Sequence, residues 1–147
     1  MRFLGTHSHT MDTKGRLSIP VEFRVEIQLR SENASILTND KNCLALYPYD
    51  DWEAFSDRLA RVSQIRPEVR KFQRFFVAGA AKAPFDSQGR ILIPQHLRQH
   101  AQLGREVIVA GVGPRIELWN KELFATDRAD TYENIDEISS LVADHDR

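Results

Sequence analysis

Two short segments of the sequence carry residue types that can bind an anion. Asp12 precedes Arg16 by four residues, Asp86 precedes Arg90 by four residues, and a glycine stands directly before each arginine. A planar guanidinium offers five donors, which suit phosphate oxygens or the edge of a guanine. The same spacing also suits a structural role in which each Asp–Arg pair closes its own turn. These residues alone leave both interpretations open.

The basic residues near these motifs differ between the two segments. Lys14 adds a positive charge to the first segment, whereas the second has Gln88 at the corresponding position. Arg24 and Arg98 stand at matched positions further on, where they either extend a basic surface or pair with acidic residues. The candidate nucleic-acid contacts are therefore Arg16, Lys14, Arg90, Arg24 and Arg98.

Both segments belong to an internal repeat. Residues 12–24 align with residues 86–98 at an offset of 74, with six of thirteen positions identical. A second block follows in the same order at an offset of 72, where residues 44–47 correspond to residues 116–119. Two ordered blocks at nearly constant spacing predict a duplicated unit. Because a single unit of short strands would leave open sheet edges, we expect the strands of the two units to pair with each other.

Each unit is predicted to be rich in β-structure. An aspartate can accept a hydrogen bond from the amide two residues on, and glycine permits the positive φ of a tight turn. Asp12 with Gly15, and Asp86 with Gly89, therefore predict turns between strands. A proline after each turn suits the start of a short helix. These helices are predicted over residues 21–27 and 95–103, and two further strands complete each unit.

Helical segments are predicted between and after the repeats. Trp52, Phe55 and Leu59 fall at helical spacing behind Asp50, the predicted N-cap. Asn120 is predicted to cap a helix over residues 121–126, and the chain beyond is either a weak final helix or disordered. The predicted domains are repeat 1 at residues 1–50, a helical connection at 51–76, repeat 2 at 77–119, and a C-terminal helix with an acidic tail at 120–147.

Charge is unevenly distributed along the chain. The 147 residues have a formal net charge of −1, yet residues 58–98 hold nine basic and two acidic residues. Residues 117–147 hold nine acidic and three basic residues. Such segregation permits one basic face on a nearly neutral protein, although ordinary solvated charge is the other interpretation.

The sequence excludes several classes of protein. No apolar run approaches the roughly 20 residues that span a bilayer, and the N-terminal residues lack the apolar stretch of a signal peptide, so we expect a cytoplasmic protein. The single cysteine, Cys43, cannot form an internal disulfide. No catalytic motif is evident, so we expect neither an enzyme nor a cofactor. His7 with His9, and His96 with His100, are not assigned to a metal site, and the second pair is expected on a helix surface.

The repeated motif resembles that of the MraZ family of bacterial transcriptional regulators, which belongs with the AbrB-like swapped-hairpin DNA-binding domains. The likeness rests on Asp-x-Lys-Gly-Arg-Leu-x-Ile-Pro at Asp12 and Asp-x-Gln-Gly-Arg-Ile-x-Ile-Pro at Asp86, and it extends to about Thr126. It implies an α+β, β-rich fold of two tandem swapped-hairpin β-barrel repeats with pseudo-two-fold symmetry and intervening helices. In the family the Asp-x-x-x-Arg motifs are linked to DNA contact, which carries over to Arg16 and Arg90.

The same resemblance implies a function. The partner would be double-stranded DNA, bound at direct repeats in the promoter of the division and cell-wall gene cluster. The chains would form a ring, commonly octameric in the family, and act at the nucleoid as a repressor and autoregulator. An antitoxin-like module whose acidic tail inhibits a partner protein is the alternative, although such antitoxins typically carry one motif per chain. A ring-shaped scaffold without a nucleic-acid role is a third hypothesis.

Overall fold

The structure is a computed structural model that describes residues 2–32 and 34–146. Within these residues the strands are β1 (Phe3–Thr10), β2 (Arg16–Ser18), β3 (Ser35–Asp40), β4 (Cys43–Tyr47), β5 (Ala81–Ala83), β6 (Arg90–Leu92), β7 (Glu106–Gly113) and β8 (Arg115–Asn120). The helices are α1 (Val21–Arg30), α2 (Tyr49–Ser63), α3 (Pro67–Phe76), α4 (Gln95–His100), α5 (Lys121–Glu133) and α6 (Ile135–His145). The fold is therefore mixed α+β.

A pseudo-two-fold relation connects the two halves of the main sheet. Its six strands lie in the order β1-β7-β8-β4-β3-β5. β1, β3 and β4 of repeat 1 correspond to β5, β7 and β8 of repeat 2. When each strand is replaced by its counterpart, the same order is read from the opposite edge of the sheet. The register agrees, since Ser35 pairs with Ala83 in β3–β5 and the equivalent Val107 pairs with His9 in β7–β1. The first strand of each repeat thus pairs with the third strand of the other.

The central pairs have the same symmetry. β4 and β8 pair about Ala45 and Glu117, which are equivalent positions of the two repeats. β2 and β6 form a separate two-stranded ribbon that pairs about the equivalent Leu17 and Ile91. The prediction of a duplicated unit whose strands pair with each other is confirmed.

One hydrophobic core joins the ribbon to the sheet. Leu17 and Ile91 of the ribbon and Leu44 and Leu118 of the sheet are completely buried and belong to the same cluster. Burying a side chain of this kind stabilises the folded state by about 1.5–3 kcal/mol relative to leaving it exposed. The ribbon, and with it the turn before each of its strands, is therefore firmly anchored.

A smaller cluster anchors the α2–α3 hairpin. Ile36 of β3, Trp52 of α2 and Phe76 of α3 are buried together, with the Trp52 and Phe76 ring centroids 4.8 Å apart. Thr38 donates its hydroxyl hydrogen bond to the carbonyl oxygen of Phe76, one of the carbonyls that a helix end leaves unpaired. The hairpin is thus fixed to the half of the sheet that contains β3 and β4.

Among helices α1 to α4, three boundaries differ from the sequence prediction. α1 continues to Arg30, whose guanidinium pairs with Asp51 at 3.0 Å. α4 ends at His100, because Gln102 takes a positive φ of 55° that a helix cannot continue through. Pro48, and not Asp50, is the N-cap of α2. Asp50 lies inside the helix, where it accepts a hydrogen bond from Ser31 at 3.3 Å.

The segment after Asn120 is helical. The Asn120 side chain accepts a hydrogen bond from the amide of Leu123 at 3.0 Å, as an N-cap does, and α5 extends past the predicted residue 126 to Glu133. The final-helix alternative is the correct one, since α6 follows. Neither α5 nor α6 contains a buried residue. Among the described residues, no helix combines the length and the apolar character required to cross a membrane.

Candidate nucleic-acid interface

The first Asp–Arg motif forms a closed turn between β1 and β2. Oδ1 of Asp12 accepts hydrogen bonds from the backbone amides of Lys14 at 3.0 Å and Arg16 at 2.9 Å, and Oδ2 accepts one from Nε of Arg16 at 2.6 Å. Gly15 takes a φ of 87°, which glycine adopts without a Cβ clash. Within the described residues, the terminal nitrogens of Arg16 form no hydrogen bond. They remain available to a ligand.

The second motif repeats this geometry. Oδ1 of Asp86 accepts hydrogen bonds at 2.9 Å from the amides of Gln88 and Arg90, and Oδ2 accepts one at 2.9 Å from Nε of Arg90. Gly89 takes a φ of 76°. Both Asp–Arg pairs therefore close their own turns, which is the structural role that the sequence analysis left open. Turn closure uses Nε of each arginine, and the terminal nitrogens Nη1 and Nη2 are not needed for it.

The ribbon brings the two turns together. The amide of Ile93 donates to the carbonyl of Gly15 at 2.8 Å, and the amide of Ile19 donates to the carbonyl of Gly89 at 3.2 Å. Nη1 of Arg90 lies 3.8 Å from Oδ2 of Asp12, so a charge contact joins the turns of different repeats. We call residues 12–16 and 86–90 together the double-turn surface.

Hydrogen bonds keep both turn aspartates ionised. The backbone amide of Arg16 makes the largest contribution to a lowered pKa of Asp12, and the amide of Arg90 does the same for the pKa of Asp86. A donated hydrogen bond favours the charged carboxylate over the neutral acid. At neutral pH each aspartate therefore offsets the charge of its own arginine, while Lys14 has no such partner among the described residues.

Arg24 and Arg98 each cover the glycine of the opposite turn. A Cβ at Gly15 would lie 3.0 Å from Cζ of Arg98, and a Cβ at Gly89 would overlap the guanidinium of Arg24. Nε of Arg24 donates to the carbonyl of Ile19 at 3.0 Å. Nε of Arg98 is buried and, among the described residues, has no hydrogen-bond partner. Both arginines are half-buried, so they support the turns as well as adding charge near them.

Sequence reasoning missed this packing, although a signal was present. Arg24 follows Gly15 by nine residues and Arg98 follows Gly89 by nine. The repeated spacing indicates a shared role for the two arginines. It cannot reveal that each contacts the other repeat's turn, because that depends on how the two units pair.

The candidate contacts gather at one place and differ in exposure. Lys14 and Gln88 are exposed, while the side chains of Arg16 and Arg90 are 36% and 25% exposed. A fork of donors on a rigid turn can reach phosphate or a base edge, and a nearby lysine adds a point charge. The geometry suits recognition of a polyanion.

His7 and His9 lie next to each other on β1, with ring centroids 6.2 Å apart, whereas His96 and His100 belong to α4. Nε2 of His7 lies 3.0 Å from a carboxylate oxygen of Glu22, an acidic partner that the sequence analysis did not identify. His96 is exposed, as expected. His100 is half-buried instead, because its Nε2 is 2.6 Å from the carbonyl of Asp40. The expectation of a surface position is therefore wrong for His100.

Three other residues have the types that metals bind. The ligand atoms of Asp40, Cys43 and Glu117 lie within 4.8 Å of one another. Arg115 pairs with both carboxylates, at 2.7 Å from Glu117 and 3.7 Å from Asp40. Burial raises the pKa of the Cys43 thiol, which keeps it protonated. Because Arg115 already pairs with both carboxylates of this cluster, we assign no metal to it.

Similarity to known proteins covers nearly the whole chain. The profile of the family described as "MraZ protein, putative antitoxin-like" matches residues 2–75 and 76–140. The chain is 42% identical over 139 residues to the transcriptional regulator MraZ of Alkaliphilus metalliredigens, covering 94% of both chains. It is 39% identical over 142 residues to that of Alkaliphilus oremlandii, covering 97% of both. With the regulator MraZ of Syntrophobacter fumaroxidans it shares 43% identity over 119 residues, or 81% of this chain and 79% of the relative.

Fold, site and similarity agree on one class of protein. It is a duplicated α+β unit that presents two symmetry-related Asp-x-x-Gly-Arg turns on one surface. The chain belongs to the MraZ family.

Proposed function

We propose that this chain is a DNA-binding transcriptional regulator that contacts double-stranded DNA through the double-turn surface. The observation that carries the proposal is the adjacency of the two Asp-x-x-Gly-Arg turns, which the β2–β6 ribbon holds side by side. Among the described residues, the terminal nitrogens of Arg16 are unpaired, and Nη1 of Arg90 has only a long contact of 3.8 Å with Asp12. The relatives' name, transcriptional regulator, supports the same conclusion. The chain acts in this proposal as a binding protein and not as an enzyme.

Each candidate residue has a part in the proposed contact. Arg16 and Arg90 reach phosphates or base edges with their terminal nitrogens, and Lys14 adds a phosphate contact. Arg24 and Arg98 hold the opposite turns in place and add positive charge behind them. Asp12 and Asp86 orient the arginines by fixing Nε.

The proposed architecture is a swapped-hairpin barrel of two AbrB-like repeats. Support comes from the pairing of β1 with β7 and of β3 with β5, since each joins strands of different repeats. The proposed division of the chain is repeat 1 at residues 1–50, the helical connection at 51–76, repeat 2 at 77–119 and the C-terminal region at 120–147.

Assembly completes the proposal. One double-turn surface covers a short DNA segment and binds it weakly, with an affinity that falls steeply with salt. A ring of chains, octameric as is common in the family, engages successive direct repeats at high effective concentration. We propose as the site the promoter of the division and cell-wall gene cluster, with repression and autoregulation in the cytoplasm at the nucleoid.

The Arg16→Ala variant tests the function. Loss of one contact from every chain weakens binding by about 1–3 kcal/mol for each occupied repeat. We expect gel-shift affinity for the DNA upstream of the chain's own gene to collapse, while the oligomer mass and the thermal melt stay at wild-type values. A partly exposed ion pair of this kind contributes little to stability.

Lys41→Ala is the matched control. Lys41 is an exposed lysine on the turn between β3 and β4, so its loss removes one charge without touching the double-turn surface. Equal shifts for Arg16→Ala and wild type, or equal losses for Arg16→Ala and Lys41→Ala, would contradict the proposal. An unfolded Arg16→Ala chain would show that turn closure is the main role of the arginine.

A further inference from the structure

A cleft of about 520 Å³ lies beside the first turn of the double-turn surface. Its lining includes Thr13 of the turn, Arg98 of α4, and Arg105 of the connection between α4 and β7, which covers residues 101–105. Thr13 and Arg105 are exposed, whereas Arg98 is half-buried. Two guanidinium groups from outside the Asp–Arg motifs therefore meet in one cleft next to the first motif.

The charges of these two arginines are not compensated within the chain. Among the described residues, neither Arg98 nor Arg105 takes part in an ion pair within 4.0 Å. Nε of Arg98 is buried and, in the same part of the chain, has no hydrogen-bond partner. Because burying an unpaired charge is costly, a half-buried guanidinium gains stability from an anion supplied from outside.

Two acidic residues beside the cleft are already engaged. Asp12 also lines the cleft, and its carboxylate accepts hydrogen bonds from the amide and from Nε of Arg16. Glu106 follows Arg105 in the sequence, and it pairs at 2.9 Å with the lysine that begins α5. Glu122 and Arg105 line a different cleft together but form no ion pair within 4.0 Å. The cleft beside the first turn therefore keeps a net positive charge.

The α4–β7 connection is held firmly against the first turn. The amide of Met11, directly before the turn, donates to the carbonyl of Arg105 at 2.7 Å. The side-chain amide of Asn120 donates to the carbonyl of Gln102 at 2.6 Å, and Leu103 packs against the hydrophobic core. Since the backbone of Arg105 is already ordered, little entropy is lost when its side chain meets a ligand.

The equivalent connection of repeat 1 has a different shape. Ten residues separate Arg24 from Ser35, whereas eight separate the equivalent Arg98 from the equivalent Val107. α1 also continues to the end of residues 21–30, while α4 is only six residues long. Repeat 2 therefore forms a short irregular connection where repeat 1 extends its helix.

The two connections also differ in available charge. Arg30, the arginine at the end of α1, pairs with Asp51 at 3.0 Å. The cavity beside Arg24 is lined by Glu22 and Gln88 and by no second arginine among the described residues. The second turn therefore lacks a counterpart of the cleft beside the first turn.

We propose that this cleft binds a backbone phosphate of double-stranded DNA through Arg105 and Arg98, and that it gives the double-turn surface a direction on the duplex. A two-fold symmetric surface fits DNA equally well in both directions, which is why symmetric proteins match palindromic sites. A phosphate contact on one side only makes the two directions unequal. The inference rests on the proposed function and deepens it, because a direct repeat can be read only by a surface that has a direction.

The Arg105→Ala variant tests the phosphate contact. Arg98 also supports Gly15, so its loss would disturb the turn, whereas Arg105 forms no side-chain contact among the described residues that closes a turn. We expect affinity for the DNA upstream of the chain's own gene to fall roughly tenfold at low salt. The slope of log binding constant against log salt should become shallower by about 0.9 for each bound repeat.

Two controls accompany this measurement. Arg105→Lys keeps the charge and should retain most of the slope, since a phosphate is also bound by a point charge. Lys41→Ala removes an exposed charge from the turn between β3 and β4, and it should leave both affinity and slope at wild-type values. The thermal melt of all three variants should equal that of the wild type.

Neutral phosphates test the direction. In a short duplex that carries one repeat of the same DNA, each phosphate in turn is replaced by an uncharged methylphosphonate, and binding is measured by fluorescence polarisation at low salt. One replacement should weaken the wild-type chain but not Arg105→Ala, because the two changes remove the same contact and are not additive. The phosphate related to it by the two-fold axis of the double-turn surface should show no such dependence on Arg105.

The results separate this inference from the proposed function. If Arg105→Ala matches Lys41→Ala while Arg16→Ala loses binding, the cleft does not hold a phosphate and the proposed function stands. If the phosphates that depend on Arg105 are placed symmetrically about the centre of the repeat, the cleft does not give the surface a direction. A wild-type chain that does not bind this DNA would overturn both.

Discussion

The aspartates of the double-turn surface shape the turns and also limit their charge. Each holds two backbone amides and one guanidinium nitrogen. Each therefore presents its arginine in one orientation at the cost of offsetting part of its charge. A rigid arginine loses less conformational entropy on binding than a free one, which favours recognition over simple attraction.

This role predicts a pH dependence of stability. The pKa of Asp12 and of Asp86 lies below the ordinary 3.8 in the folded chain. A depressed pKa contributes stability that is present above the unfolded value and is lost as pH falls through the folded one. We expect the Asp12→Asn/Asp86→Asn variant to unfold more easily than wild type at pH 7, and the difference in the free energy of unfolding to vanish well below pH 3.8.

Chemical denaturation between pH 2 and 7 measures this difference. Asp57→Asn is the control, since Asp57 is exposed on α2 and, among the described residues, forms no ion pair. A constant difference between the double variant and wild type across the acid range would show that the charge of the turn aspartates does not stabilise the fold.

At the scale of single residues, the sequence predicts the local turns but not the long-range contacts. Local hydrogen bonding makes Asp12 and Gly15 predict their turn without knowledge of the fold, and the same holds for Asp86 and Gly89. The contact of His100 with the carbonyl of Asp40 could not be predicted. It joins residues 60 positions apart, so it depends on tertiary packing alone.

At the scale of secondary-structure elements, a helix of each repeat supports the turn of the other repeat. Arg24 belongs to α1 of repeat 1 but covers Gly89 in the turn of repeat 2, and Arg98 of α4 covers Gly15 in return. The sequence predicted the helices, strands and duplication, because periodicity and repetition are local signals. It did not predict that the first strand of one repeat pairs with the third of the other, since alternating apolar residues do not specify a partner strand.

This interlocking predicts the effect of Gly89→Ala. Gly89 has a φ of 76° and the Arg24 guanidinium where a Cβ would lie, so alanine is strained and crowded at once. We expect a loss of about 1–3 kcal/mol in the free energy of unfolding. Adding Arg24→Ala should recover part of that loss, because the two residues are in contact and their effects are not additive.

Gly104→Ala is the matched control, because nothing lies within 4 Å of a Cβ at Gly104 and its φ is not positive. We expect it to leave the free energy of unfolding within about 1 kcal/mol of wild type. If Gly89→Ala and Gly104→Ala melt at the same temperature, Arg24 does not pack on the turn in the way the structure describes.

Across the whole molecule, the two repeats have kept their backbone relation and diverged in charge. The main sheet and the ribbon are symmetric in register, whereas residues 58–74 and 130–146 are opposite in sign. The sequence already displayed this segregation, but its meaning depends on the pseudo-two-fold relation. Only the symmetry shows that the basic and acidic segments are equivalent parts of two units.

The two turns of the double-turn surface also differ in charge, by one lysine, and this difference gives a testable prediction. Lys14 and Gln88 occupy equivalent exposed positions of the two turns. Gln88→Lys therefore gives the second turn the charge of the first, on a backbone that already matches it.

Each added phosphate contact steepens the dependence of log binding constant on log salt by about 0.9. We expect tighter DNA binding at low salt, a steeper slope, and a larger loss of affinity from Arg90→Ala in this background than in the wild-type chain. Gel shifts over a salt series measure the slope, with Gln28→Lys on the exposed face of α1 as a control for net charge alone. If Gln28→Lys and Gln88→Lys steepen the slope equally, the added charge acts by general attraction, and the second turn does not meet the DNA.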